Sequence, residues 1–504
     1  MTKELKHSVC ALLLVACSFL CGCRLIVDSH DMKKDMMAGY MNGMKEQVYS
    51  ELEARLKPPS FFNSSMVGTG DELVWRLESG MANFIYGNDE QCIQNLARAE
   101  AIIEEYDGRA VVSVRDTGEE GMAIATNSAA LPYRGTPRDR IMLPLVKALA
   151  YLGKLDEEGF RVELFSLRES QQAAMDANEK FLAKEAERLE SERKDNPQAV
   201  KSVNLEKMLA HSKNAAVQEG IEETRKLAYT GYGNCLNPLA IFMSAYGYSR
   251  ESDFENAIVD YQRLYKVMPE HLMVQRYLVT VLRRTGREIP AELANVQPLE
   301  FMPGQGTVLV VFANGRGAAL RETSLYVPII MPRRSSLIAA AWPVCEYHAA
   351  PFSTVSATME EGTVDTVAIA NMDAILAQEY TQAMPSMLSR LIISVAVKEI
   401  AYQLTMRGVK DAPPLARFFA DVSGIAYKLT FNTADTRCWE TLPKEFQVAE
   451  FPLPKSRKMK IKMGPASETE VAFPENAKSA IVYVNAPSGL PGAFTLRVFP
   501  ITSH

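Results

Sequence analysis

The stretch Asn237–Pro269, NPLAIFMSAYGYSRESDFENAIVDYQRLYKVMP, decides how this chain is read. Leu239, Phe242, Met243 and Tyr246 fall at offsets of three, four and seven, which makes one apolar helical face. A polar break, Ser249–Asp253, follows, and the pattern resumes with Phe254, Ile258, Tyr261, Leu264 and Tyr265. Ser252-Asp253 supplies a cap, because its side chains accept from the unpaired N–H groups of the next first turn. Pro269 ends the second helix: it has no N–H, and its ring clashes with the preceding turn.

Small residues set the distance between the two helices. Ala245 lies twelve residues before Ala257, and Leu264 lies seven after it. Small side chains at facing points let antiparallel helices approach closely, with Tyr261 filling the space beside them. The unit resembles the tetratricopeptide repeat, a helix pair of about 34 residues. Tyr248, Ala257, Tyr261 and Pro269 stand where that pattern has an aromatic, a small residue, an aromatic and a proline; Ile241 replaces its early tryptophan. The same twelve-and-seven spacing recurs at Gly80, Cys92 and Ala99, and again at Ala148, Phe160 and Leu167. A partial fourth unit spans residues 272–286. The stretch 107–136, rich in Gly, Thr, Ser and Asn, reads as an irregular connector. Residues 168–194 read as a long, solvated, charged helix.

The N-terminus carries a secretion signal. Lys3 and Lys6 precede an apolar run, Val9–Leu20, that is too short to span a membrane comfortably. Leu20-Cys21-Gly22-Cys23 looks like a bacterial lipobox, which predicts lipidation at Cys23 and a mature chain starting there. Leu14-Val15-Ala16-Cys17 also fits the box but leaves a very short apolar region. Each buried acyl CH₂ contributes about 0.8 kcal/mol to membrane binding. Arg24, not aspartate, follows Cys23, which favours the outer membrane in a diderm host. The methionines at 32, 36, 37, 41 and 44 form an apolar helix face with no His or Cys among them to complete a copper site.

At 504 residues, the chain is long enough for two or more domains. A net charge of −6 with no large basic block speaks against nucleic acid as a partner. After cleavage, Cys92, Cys235, Cys345 and Cys438 remain besides the lipidated thiol. No C-x-x-C pair occurs, and three full pairings or lone buried thiols stay open.

Beyond Pro303 the period changes. Residues 307–312 are strand-like, and Asn314-Gly315 reads as a hairpin turn. Residues 325–330 and 364–370 also read as strands. Met387–Met406 reads as an interrupted helical hairpin, and Arg390, Lys398 and Glu399 rule out a comfortable membrane span. A helix burying Phe418, Phe419 and Val422 is expected after Pro413-Pro414. Four tail strands, 446–451, 458–463, 479–484 and 493–499, are expected to form a small antiparallel sheet.

Several stretches together resemble a family of bacterial lipoproteins with tetratricopeptide-like repeats. They are Asn237-Pro238 through Pro269, Gly304-Gln305-Gly306 with its strand and turn, and Ala434-Asp435-Thr436-Arg437-Cys438-Trp439-Glu440-Thr441-Leu442-Pro443. Asn127, Tyr133 and Gly135 match more loosely. Cys438 departs from the serine expected there. The resemblance covers most of the mature chain and implies an envelope accessory protein, with no activity to carry over. Read physically, Asp435 and Arg437 pair or cap neighbouring strands above a packed Trp439, a structural motif rather than a ligand loop.

No H-E-x-x-H, G-x-S-x-G or Walker loop occurs, and Gly304-Gln305-Gly306 precedes a strand, not a helix. Cys345 and His348 fall on opposite faces of a strand-like stretch. The expectation is therefore a non-enzyme without catalytic residues, metal or cofactor. The expected fold is multidomain. It comprises a signal peptide (1–22), a tether and first helix (23–60), an all-α tetratricopeptide-like array (61–295), and an α+β domain with antiparallel strands and a helical insertion (300–504). The expected function is a lipid-anchored envelope scaffold or adaptor that binds a protein or peptide, with Tyr248, Tyr232 and Asn83 in its groove. The alternative is an accessory regulator of a cell-wall enzyme acting through the C-terminal domain.

Overall fold

A computed structural model describes residues 29–60, 63–112, 131–331, 334–408, 433–464 and 467–502. Cys23, and the helix expected to bury Phe418, Phe419 and Val422, lie outside these residues.

The N-terminal part is helical. Helices α1 (Ser29–Met41) and α2 (Lys45–Leu56) form a first pair. Gly43, at φ +71°, turns between them against the backbone of Gly492. The methionine-rich face of α1 packs into the core: Met36, Met37 and Tyr40 are fully buried. Then come α3 (Glu72–Ile85), α4 (Asp89–Val112), α5 (Pro137–Gly153) and α6 (Glu157–Asp195). After several short turns follow α7 (Ala215–Ala228), α8 (Pro238–Arg250), α9 (Phe254–Val267) and α10 (Leu272–Thr285). Helices α3, α4, α5, α6, α8, α9 and α10 pack each on the next.

Local signals explain the boundaries. Asn237 Oδ1 accepts from the N–H groups of Leu239 and Ala240, and Asp253 Oδ1 from that of Asn256. At the start of α5, Asp139 Oδ2 accepts from the backbone N–H of Thr136. Gly286 closes α10 in the left-handed region. All nine positions of the twelve-and-seven spacing are buried. At Gly80 the close neighbour is Leu96, which a Cβ would approach to 2.4 Å. The charged stretch 168–194 is no separate helix; it continues the partner of α5 as one 39-residue rod, α6.

The C-terminal part holds three sheets. Strand β1 (Thr307–Asn314) is buried at every residue. It is the middle of a five-stranded sheet, pairing in parallel with β10 (Ser479–Ala486) and antiparallel with β7 (Glu445–Pro452). Strands β11 (Thr495–Ile501) and β6 (Val367–Asn371) form its edges. A four-stranded sheet has the order β5 (Gly362–Asp365), β4 (Val355–Met359), β8 (Lys458–Met463), β9 (Ser467–Ala472). Strands β2 (Ala319–Met331) and β3 (Arg334–Glu346) make a long separate hairpin.

Three apolar clusters arrange these parts in layers. On one face of the five-stranded sheet, Leu309, Val311, Val448, Ile481 and Tyr483 join the core of the helices, so that cluster crosses residue 300. On the other face, Val308, Val310, Phe312 and Val482 pack on Ala357, Ile461 and Met463 of the second sheet. Period-two alternation puts odd residues of β1 on the helices and even ones on the second sheet. A third cluster joins the hairpin to α7 and to α11 (Met372–Gly408).

Four expectations are corrected. The tail strands do not form a sheet of their own. The apolar β1 needs neighbours on both edges, so β7 and β10 flank it, while Lys-Met-alternating β8 is amphipathic and joins the outer sheet. Asn314-Gly315 is a turn, with Gly315 at φ +74°, but not a β1–β2 hairpin turn, because both edges of β1 are taken. Residues 364–370 split at Thr366, whose N–H donates to Val355 O and whose hydroxyl donates to Gln447. Residues 387–406 belong to a single 37-residue helix, α11, that runs through Pro385; its packing on α6, α7 and the hairpin offsets the hydrogen bond a proline forfeits. The four cysteines are buried free thiols.

Candidate functional site

The segment 434–443 is where distant parts of the chain meet. Arg437 donates to Asp435 through Nε (2.8 Å) and Nη2 (2.7 Å), and through Nη1 to Asp71 Oδ1 (3.0 Å) and Leu131 O (2.7 Å). Trp439 is fully buried and donates its indole N–H to Thr441 Oγ1 at 2.9 Å.

Beneath it lies a buried charge cluster that the sequence reading did not single out. Lys33 Nζ sits 3.1 Å from Glu78 Oε1 and 3.1 Å from Glu440 Oε1, and donates to Cys438 O. Glu78 also accepts from the backbone N–H of Glu440 (2.8 Å) and from the N–H and hydroxyl of Thr441. Glu440 Oε2 meets Arg316 at 2.9 Å and His30 at 3.3 Å. Burial works against the Lys33 ammonium, but Glu440 and Glu78 outweigh it and raise its pKa. Burial likewise opposes the Glu440 carboxylate, yet Lys33 and His30 hold it down to about 2. The signal was available: Lys33 shares the apolar stripe of Met36 and Met37, and Glu78 lies between Trp75 and Met81 on the buried face of α3.

Above the segment opens a cavity of about 500 Å³. Its walls are α6, α11, the hairpin strand β3, the loop 131–136 and residues 433–437. Phe181, Leu182, Leu337, Trp342, Leu376 and Leu391 make it predominantly apolar. That volume is in the range of small-molecule sites, roughly 300–1,000 Å³. Charged groups punctuate the lining, among them Arg134, Glu379, Arg390, Lys398, Glu399 and Arg437. Arg390 is neutralised by Glu185 (2.5 Å) and Glu192 (3.4 Å). Arg437 is held by its two aspartates. Glu379 accepts from the backbone N–H of Arg138; burial pushes its carboxyl up to about 7, against the pull of Arg138. Arg134 lies flat against Phe181, its guanidinium carbon 3.7 Å from the ring centroid.

The three candidate partner-contacting residues are not assembled into one surface; among the described residues no hydrogen bond or ring contact joins any two of them. Asn83 is corrected as a groove residue: it is 6% exposed, and its amide donates to Ser79 O and Oγ. Its helix, like α5 and α8, is buried on nearly every residue. The side a groove would use is filled by the five-stranded sheet; Phe84 packs on Tyr483 and Phe499. Tyr232 is half-buried and accepts from the N–H of Asn371 at 2.8 Å. Tyr248 stacks on Phe165 at 4.5 Å under the Arg168 guanidinium.

Among the described residues no cluster of three or more His, Cys, Asp or Glu is placed to hold a metal ion. No described helix is long and apolar enough to cross a membrane. Comparison of the chain with family models, with curated proteins and with solved structures gave no match in any of the three.

Two outcomes follow from the buried charges. Lys33→Met leaves Glu78 and Glu440 as buried carboxylates without their shared cation, and is expected to cost about 3–5 kcal/mol in urea unfolding at neutral pH. Glu379 has a folded pKa near 7 against an ordinary 4.5. A raised carboxyl favours the fold below its unfolded pKa, and that contribution is lost as pH rises through the folded one. Glu379→Gln should therefore flatten the decline of stability between about pH 4.5 and 7; an unchanged slope in unfolding titrations counts against the assignment.

Proposed function

We propose that this chain is a non-enzymatic binding protein of the bacterial cell envelope, anchored by a lipid on Cys23 and taking an apolar ligand into the 500 Å³ cavity. The observation that carries this reading is the cavity itself, predominantly apolar and lined by parts of the chain far apart in sequence. In this reading, the helical layer is a tetratricopeptide-like array used as a frame. Its inner helices cover a sheet of the same chain, so the ligand is received beside the array and not along it. The lipobox supports the anchor.

The adaptor reading, with a protein or peptide partner, is compatible with the same cavity if the partner inserts an apolar side chain or segment. Regulation of a cell-wall enzyme would then act through the C-terminal part, which supplies β3, α11 and residues 433–437 of the lining.

Nile red, a neutral apolar dye, is expected to bind saturably at one molecule per chain. Ala383→Trp, which places an indole in the cavity from α11, is expected to abolish this binding while leaving the unfolding midpoint within a few degrees. Non-saturable binding, or binding untouched by the tryptophan, sinks the proposal for the cavity. The anchor is tested separately: globomycin, which blocks lipoprotein signal cleavage, should make the precursor accumulate in expressing cells, and Cys23→Ala should abolish that sensitivity.

A further inference from the structure

The cavity is not uniformly apolar, and Arg134 among its lining residues says what the ligand carries. Arg134 stands in the loop 131–136 and lines the cavity. Its guanidinium lies on the Phe181 ring, and Nη2 donates to Asn178 Oδ1 at 3.2 Å. Among the described residues, no carboxylate approaches it within 4 Å, and its Nε and Nη1 groups have no acceptor. Every other arginine of the lining is paired: Arg390 with Glu185 and Glu192, Arg437 with Asp435 and Asp71. The nearby Glu379 attracts Arg134 through space but makes no ion pair with it; its Oε1 accepts from the backbone N–H of Arg138. Burial lowers the Arg134 pKa, but a guanidinium remains charged at any physiological pH.

A planar cation held rigidly against an aromatic ring, with donors left over, is suited to an anionic oxygen group. Here it stands among the apolar side chains Phe181, Leu182 and Trp342 of a mostly apolar wall. We propose that the cavity takes a single-chain amphiphile, its aliphatic body against Phe181, Leu182, Trp342 and Leu391 and its anionic end group paired with Arg134. The proposal rests on the cavity being a ligand site and adds the chemistry of the ligand. A carboxylate and a phosphate monoester share that chemistry, and the test separates them.

Isothermal titration of the mature, unlipidated chain with dodecanoate, dodecyl phosphate and dodecanol, below their aggregation limits, provides the test. A hydrogen bond to a charged group contributes about 1.5–3 kcal/mol, so at least one anion should bind roughly ten- to hundredfold more tightly than the alcohol. Which anion wins identifies the head group. Arg134→Gln should erase the preference, bringing the anion to within about twofold of dodecanol, whose own Kd stays unchanged. The wild-type comparison needs no variant and stands even if Arg134→Gln fails to fold. Equal affinity for anions and alcohol, or a preference that survives Arg134→Gln, overturns the role of Arg134 but leaves the cavity as a ligand site. Failure of all three to bind, together with failure of Nile red, overturns both.

Discussion

A lysine ammonium sealed from water persists in a fold only where carboxylates and carbonyls replace its hydration shell. Lys33 meets that condition with Glu78, Glu440 and the carbonyl of Cys438, groups contributed by α3 and by the segment 434–443. The requirement is reciprocal: without the lysine both glutamates lose the cation they share, and Glu440 is left to Arg316 and His30. Three parts of the chain, separated by up to 407 residues (440 minus 33), are thus fixed at one point. The cavity wall grows directly from it: Asp435 and Arg437 lie just before Cys438, and Arg138, whose backbone N–H holds Glu379, donates to the carbonyl of Trp439.

The second constraint is β1. A strand that is apolar on both sides needs a layer above and a layer below. The helices provide one and the four-stranded sheet the other. This explains why the inner helices are covered by the chain's own sheet.

Periodicity made the elements legible. The helix pairs, their caps, the position of β1 and the pairing of Asp435 with Arg437 all follow from short-range pattern, since offsets of two, three and four are written in adjacent residues. What escaped was the pairing of elements. Nothing local in Lys458–Met463 says that it leaves the neighbouring tail strands for β4, and nothing local says that β1 has taken both edges that a hairpin would use. The cavity was illegible for the same reason. Arg134, Phe181, Leu337, Glu379 and Arg437 lie on five elements with unrelated patterns, and only Arg437 drew attention, through a motif. Lys33 was concealed by composition: among so many methionines, one lysine reads as the polar edge of an apolar face.

The burial of α1 has a mechanical consequence. Five residues, 24–28, separate Cys23 from Ser29. At about 3.3–3.6 Å per residue, even a fully stretched chain spans no more than roughly 20 Å between those two cysteine and serine positions. Lipid on Cys23 would therefore act as a short leash, with no slack to be drawn from a helix locked into the core. Ser29 would then stay within that distance of the anchored residue.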